Sequence, residues 1–251
     1  MASESLMAGQ VAVVTGAGGG IGSVISRRLA AAGAQVALTY RESKTKAEAV
    51  ARGLDGEGHL CVQASVNDSE ALNNLATQIA AHYGTVDLLV NNAGITRPVP
   101  HDDLDGLDDD LIDAIFRTNW RGAFASIRAL KNLLANNDGG LVVNISSIAG
   151  VTGIGSNVAY CASKAAMNSM TLALGRALAP KIRVVSVSPG WVMGEYAKRV
   201  DPAYLQEQID KTPLKRLATA EDVAETVLAV ATMMPFTTGC IIPVDGGRPF
   251  I

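Results

Sequence analysis

Ser147, Tyr160 and Lys164 are the residues of this 251-residue chain whose types and spacing can do chemistry. They lie in the stretch Ser-Ile-Ala-Gly-Val-Thr-Gly-Ile-Gly-Ser-Asn-Val-Ala-Tyr-Cys-Ala-Ser-Lys. Tyr160 and Lys164 are four positions apart, which on a helix puts both side chains on one face, one turn apart. A phenol beside an ammonium is the arrangement of an acidic tyrosine. Ser147 supplies a hydroxyl that can share a ligand oxygen with the phenol. The trio points to proton chemistry on a carbonyl or an alcohol. For Ser147 the plain alternative is turn hydrogen bonding after a strand, and Ser146 could do the same.

A free phenol titrates near 10, so half-ionisation at neutral pH needs a fall of about 3, or ~4 kcal/mol. One cation at ~4–5 Å in an effective dielectric of ~20 supplies about that much. Burial opposes it, because it disfavours the phenolate. Lys164 alone is barely enough, and a cationic cofactor ring is expected to matter.

Short β-branched runs alternate with longer amphipathic stretches along the chain. Strands are expected at Val11–Thr15, Gln35–Tyr40, Leu60–Gln63, Val86–Asn91, Leu141–Ile145, Arg183–Ser188 and Cys240–Val244. Helices are expected at Ile21–Ala32, Lys44–Gly53, Ser69–Tyr83, Leu107–Ala135, Val158–Leu178 and Ala220–Thr232. Asp68 is placed to cap the third of these. Most strands are continuously apolar, as in a parallel sheet covered on both faces. The pattern predicts an α/β fold: one doubly wound Rossmann-type domain over 1–251, with seven parallel strands and right-handed crossovers. The polar segment Glu195–Lys211 interrupts the alternation and reads as a lid, within a substrate region at about 191–215.

Thr15-Gly16-Ala17-Gly18-Gly19-Gly20-Ile21-Gly22 joins the first strand to the first helix. Glycines there allow a tight turn, close backbone approach to a pyrophosphate, and close helix–sheet contact. Free N–H groups at the helix start favour the phosphates. The second strand ends at Thr39-Tyr40-Arg41, where an acid would bind a ribose 2′-hydroxyl and repel a 2′-phosphate. Arg41, with Ser43 and Lys44 behind it, can clamp that phosphate instead, so NADP(H) is favoured over NAD(H).

Hydrophobic residues make up 48% and charged residues 18%, which supports a full core and argues against disorder. The net charge of −3, with no basic tract, argues against a nucleic-acid partner. No apolar run reaches the ~18 residues of a membrane span. Met1 to Gln10 does not read as a secretory signal. Cys61, Cys161 and Cys240 are scattered, which fits a reducing cytoplasm and argues against disulfides or a metal site. The acids Asp102, Asp103, Asp105, Asp108, Asp109 and Asp110 lack a calcium loop's ladder and read as helix-start charges.

Taken together, Thr15–Gly22, Asn91-Asn92-Ala93-Gly94, Asn119, Ser147, Tyr160-Cys-Ala-Ser-Lys164 and Pro189-Gly190 resemble the short-chain dehydrogenase/reductase family over nearly the whole chain. The resemblance favours Ser147 over Ser146, because the family's serine stands thirteen positions before its tyrosine. It implies that Asn119, Ser147, Tyr160 and Lys164 are catalytic, with Asn119 holding a water linked to the lysine. It implies a cofactor site from Gly16, Gly18, Gly19, Gly20, Ile21 and Gly22, then Tyr40 and Arg41, Ser65 and Val66. Asn92, Ala93 and Gly94, Tyr160 and Lys164, and Pro189, Gly190 and Val192 complete it, Val192 meeting the nicotinamide carboxamide through its backbone.

Pro213-Leu214-Lys215-Arg216 and the tail Thr238–Gly247 look most like 3-oxoacyl-[acyl-carrier-protein] reductases of fatty acid biosynthesis. The implied reaction is NADP(H)-dependent interconversion of a carbonyl and a secondary alcohol. Rivals are a polyol, steroid or quinone dehydrogenase, or a cofactor-sensing protein without catalysis. An acyl carrier protein partner would need basic residues at the pocket mouth, for which Lys131, Lys181, Lys198, Arg199 and Lys215 are candidates. A homotetramer is implied, the helix Leu107–Ala135 pairing across a dimer axis. Three positions depart from the family: Ser65 replaces an acid near the adenine, Gly194 a hydroxyl residue, and Gly19 a basic residue of NADP-using members.

Overall fold

In the computed structural model, residues 5–136, 139–194 and 201–248 are described. The strands are β1 (Val11–Val14), β2 (Gln35–Tyr40), β3 (Leu60–Gln63), β4 (Leu88–Asn91), β5 (Gly140–Ile145), β6 (Ile182–Pro189) and β7 (Cys240–Val244). They form one sheet in the order β3-β2-β1-β4-β5-β6-β7, every pairing parallel. The helices are α1 (Gly20–Ala31), α2 (Lys44–Arg52), α3 (Ser69–Tyr83), α4 (Asp109–Phe116), α5 (Gly122–Leu134), α6 (Ala149–Thr152), α7 (Val158–Ala177), α8 (Pro202–Asp210) and α9 (Ala220–Thr232).

Alternation along each strand sends successive side chains to opposite faces. Val14 of β1 and Val143 of β5 join Ile25, Leu29 and Val227 under α1 and α9. Val13 and Val142, one residue earlier, join Leu75, Leu130 and Met167 under α3, α5 and α7. The continuously apolar strands follow from this covering of both faces. The chain runs β1-β2-β3 in one direction, then returns so that β4 lies on the other side of β1. That reversal opens a crevice beyond the carboxyl ends of β1 and β4.

A polar row crosses the α7 side of the sheet. Asn91, Asn144 and Ser186 are register partners on β4, β5 and β6. Asn91 Nδ2 donates to Asn144 Oδ1 at 2.9 Å, and Asn144 Nδ2 donates to Thr171 Oγ1 of α7 at 2.9 Å. The row pins α7 to the sheet with directional bonds where apolar contacts would allow sliding.

Two expectations are corrected. The predicted helix Leu107–Ala135 is α4 and α5 joined by a wider π-turn at Arg117–Arg121, with Asn119 at its centre. One extra residue in a turn leaves the apolar spacing on either side intact, so periodicity does not reveal it. The predicted lid segment contains α8, capped by Asp201 and started by Pro202; residues 195–200 of that segment lie outside the described residues.

Asn144→Ala removes partners from both Asn91 and Thr171. Each buried group left unpaired costs about 1–3 kcal/mol, so a loss of about 2–4 kcal/mol is expected in urea denaturation. A change under about 0.5 kcal/mol would show that the row does not hold α7.

Candidate active site

Helix α7 presents the phenol and the amine. Asn157 caps it, its Oδ1 accepting the Tyr160 N–H at 2.7 Å. Lys164, one turn on, is 5% exposed. Its Nζ donates to the Ile145 carbonyl, at the carboxyl end of β5, at 2.7 Å. It lies 5.7 Å from the Tyr160 ring centre. Ser147, two residues past β5, hydrogen-bonds with the Tyr160 side chain. Ser147 Oγ also accepts the Ala149 N–H at 3.1 Å, which fixes it at the start of α6. Ser146, the alternative hydroxyl, donates instead to the Lys164 carbonyl at 3.3 Å.

The electrostatics run against the simplest expectation. Burial pushes the Tyr160 phenol up from its ordinary value, and the Ser147 hydrogen bond only partly offsets this. Burial also pulls Lys164 down to about 8. Without cofactor the phenol holds its proton, because desolvation exceeds what the Ser147 hydrogen bond supplies.

Asn119 is fully buried inside the π-turn. Its Oδ1 accepts the Ile95 N–H at 2.8 Å, and its Nδ2 donates to the Ile95 carbonyl and the Ser163 hydroxyl, both at 3.1 Å. Ser163 Oγ donates to the Tyr160 carbonyl at 2.8 Å. The Asn119 side chain therefore ties the loop after β4 to the first turn of α7. Both N–H donors of its amide are used there, and none of its bonds reaches Lys164.

The glycine turn meets the same loop. Thr15 Oγ1 accepts the N–H groups of Asn92 and Ala93, both at 3.1 Å. A Cβ on Gly22 would stand 2.4 Å from Asn92 Nδ2 and 2.8 Å from the Gly16 carbonyl, so no side chain fits. Gly16, at φ 66°, would place a Cβ 3.0 Å from Ala93 Cα. Helix α1 starts at Gly20 with no side-chain cap and no acid in its first turn. By contrast α3, α4 and α9 are capped by Asp68, Asp108 and Thr219. The bare start of α1 lies at the crevice, where Gly19 and Ile21 line its wall.

A cavity of about 360 Å³ follows the crevice. Gly16, Gly19, Ile21, Tyr40 and Arg41 line one end, and Ser65, Val66, Asn92, Ala93 and Gly94 line the rest. Gly18 lines an adjoining hollow at the end of β2. Gly20 and Gly22 form the first turn of α1 rather than the cavity wall. At the far side, Gly190 donates its N–H to the Val244 carbonyl at 3.0 Å, and the Pro189 carbonyl accepts from Ile148 at 3.0 Å. Val192 forms an isolated bridge with Ala218. These three anchor the chain leading to α8 and do not line the cavity. Trp191 packs against Tyr204 of α8, ring centres 5.5 Å apart.

Sequence reasoning missed Ala64, Asn67, Ile95 and Thr118 in the cavity wall. Asn67 Nδ2 donates to Thr118 Oγ1 at 3.0 Å, which turns its Oδ1 to a buried position with no partner. Thr118, beside Asn119, was the available signal. Lys44, expected behind Arg41, instead pairs with Glu48 at 3.7 Å. Lys131 and Lys181 are at the wrong edge: Lys181 directly precedes β6, and its carbonyl accepts from Gly140 at the start of β5. The site lies at the opposite, carboxyl ends of the strands. Lys198 and Arg199 lie outside the described residues.

The family model described as enoyl-(acyl carrier protein) reductase matches residues 16–248. A relative named as ketoacyl reductase 2 of the granaticin polyketide synthase of Streptomyces violaceoruber is 36% identical over 239 residues, 94% of this chain and 95% of that protein. The 3-oxoacyl-[acyl-carrier-protein] reductase FabG of Staphylococcus aureus is 32% identical over 240 residues, 94% of this chain and 96% of that one. A crystal structure from Burkholderia xenovorans, described as a short-chain dehydrogenase/reductase, matches with a TM-score of 0.87 and 33% identity. That match covers 95% of this chain and 97% of the other.

The depressed Lys164 value gives a pH test on the ligand-free protein. Between about 8, its folded value, and 10.5, its ordinary one, the unfolded chain binds the extra proton. The stability contribution of Lys164 therefore rises with pH across that window. The melting-temperature difference, wild type minus Lys164→Met, is expected to grow across it. A difference independent of pH contradicts a buried, neutralisable amine.

Proposed function

This chain belongs to the short-chain dehydrogenase/reductase family and is a nicotinamide-dependent oxidoreductase of C=O and CH–OH groups; from that premise we propose that it reduces 3-oxoacyl thioesters and prefers NADP(H). The observation that carries the reading is the Ser147–Tyr160–Lys164 cluster, tied through Ser163 and Asn119 to Ile95 in the wall of the crevice. Two relatives named as ketoacyl and 3-oxoacyl reductases support the substrate class.

The residues present fit the cofactor. The crowding at Gly16 and Gly22 leaves backbone, not side chains, against the pyrophosphate, and the bare start of α1 attracts it. Ser65, Val66 and Asn67 line the crevice where the family's acid would meet the adenine. Arg41 suits a 2′-phosphate. Pro189 and Gly190, bonded to Ile148 and Val244, steady the end of β6, so that Val192 can offer its backbone to the nicotinamide carboxamide. When bound, the nicotinamide supplies the two electrons and hydrogen for the carbonyl carbon.

The chain's own residues handle the proton. Tyr160, protonated by burial, donates to the substrate oxygen as general acid. Ser147 donates a hydrogen bond to the same oxygen, where charge grows in the transition state. Ile145 takes one of the three Lys164 donors and so aims the others at the ribose hydroxyls and the phenol. With the Asn119 side chain occupied, its place in a water relay falls to its backbone carbonyl within the π-turn.

A second reading, enoyl thioester reduction, rests on the description of the matching family model. We further propose a homotetramer, in which another copy covers the stacked pair Trp120 and Phe124 on the α4–α5 face. An acyl carrier protein remains the proposed thioester carrier.

Three outcomes test this. Acetoacetyl thioester is expected to drive NADPH oxidation while the 2-enoyl thioester does not; the reverse selectivity favours the second reading. Tyr160→Phe is expected to lose at least about 1000-fold in kcat, in line with the upper range for a positioned acid, with cofactor affinity kept. Near-normal turnover by that variant removes Tyr160 from the chemistry. Arg41→Ala is expected to weaken NADPH about tenfold or more and NADH little; equal effects refute the clamp.

A further inference from the structure

The hollow at the end of β2 adjoins the main cavity through Gly19 and Arg41 and measures about 320 Å³. Its wall also includes Glu42, Ser43 and Lys46. Arg41 Nε lies 2.9 Å from Glu42 Oε1, so the only arginine of the hollow is paired with its only carboxylate. Their charges cancel. Lys44 points away to Glu48. Lys46, on the first turn of α2, has no carboxylate within 4.0 Å among the described residues. It is the charge that makes the hollow net positive. Ser43, which precedes α2, makes no side-chain capping bond to it. It lines the hollow instead. Gly19, opposite, carries no side chain, and a Cβ there would meet nothing within 4 Å. The hollow therefore has room for a ligand group on that side and no cation from the glycine turn.

We propose that Lys46 determines the preference for a 2′-phosphorylated adenosine, an inference resting on the NADP(H) reading above. Arg41 gives the phosphate a planar, bidentate partner. Glu42 opposes the dianion and orients Arg41. Lys46 offsets Glu42, so that a phosphate of charge near −2 meets a net cation rather than a neutral pair. Without Lys46 the same hollow, with Glu42 able to accept from a ribose hydroxyl, suits the unphosphorylated nucleotide as well.

The test is direct binding of two fragments, measured calorimetrically on the full chain: adenosine 2′,5′-bisphosphate and adenosine 5′-monophosphate. Lys46→Ala is expected to weaken the bisphosphate about tenfold, to leave the monophosphate within about twofold, and to flatten the salt dependence of the former. Lys46→Arg is expected to restore bisphosphate binding. If Lys46→Ala leaves the bisphosphate unchanged while Arg41→Ala weakens it, Arg41 acts alone and the Lys46 inference is wrong, with the NADP(H) reading intact. If Lys46→Ala weakens both fragments equally, Lys46 is a general attractor and the inference is again wrong. If the wild type does not favour the bisphosphate, the NADP(H) reading fails and this inference with it.

Discussion

A buried amine bonded to the last carbonyl of a central strand is the interaction on which the site depends. Lys164 Nζ reaches the Ile145 carbonyl because α7 starts beside the carboxyl end of β5 and packs along β6. The Asn91–Asn144–Thr171 row holds that helix in register. Burying the amine lowers its affinity for a proton and burying Tyr160 raises that of the phenol, so both groups are drawn toward neutrality. A site in that condition is proton-rich at the phenol. It favours donation to a substrate oxygen over removal of a proton from one. Oxidation of an alcohol needs the opposite, and a second cation beside the phenol is the physical means of getting it.

The same sheet links the glycine turn to α7. The order β3-β2-β1-β4 opens a crevice between β1 and β4. The two loops that line it are bonded to each other through Thr15 and Asn92. The second loop continues to Ile95, which Asn119 bonds on both its N–H and its carbonyl. Asn119 then reaches Ser163, and Ser163 the first turn of α7. Hydrogen bonds, with the short Asn92–Ile95 segment between them, thus link the glycine turn to the backbone of Tyr160 in the first turn of α7. The π-turn at Arg117–Arg121 is what brings Asn119 into that set.

Much of this was legible in the sequence because it rests on local rules. Strand edges fell within two residues of those observed at β1, β4 and β6. The caps Asp68 and the glycine turn are short-range signals with a direct mechanical cause. What escaped shares one cause: it depends on where the backbone goes next. The π-turn leaves the apolar spacing on either side unchanged. Helix α8 is polar enough to read as loop, although Asp201-Pro202 is a fair helix start. The Lys44–Glu48 pair follows from i,i+4 spacing, a spacing to Glu48 that Lys46 lacks. Only the packing of α2 shows that Lys46 lines the hollow. The charge state of Tyr160 could not be read from spacing at all, since burial and cation proximity act in opposite directions.

The central claim is that Tyr160 is a tight proton holder in the ligand-free chain and becomes acidic only beside the oxidised cofactor. Carbon-13 NMR of the tyrosine ring carbon bearing the hydroxyl, assigned with Tyr160→Phe, measures this directly. Titration without cofactor is expected to find Tyr160 ionising above its ordinary value of 10. Titration with saturating oxidised nucleotide is expected to bring it below that value. Ionisation at one and the same pH in both states, or below the ordinary value without cofactor, contradicts the account.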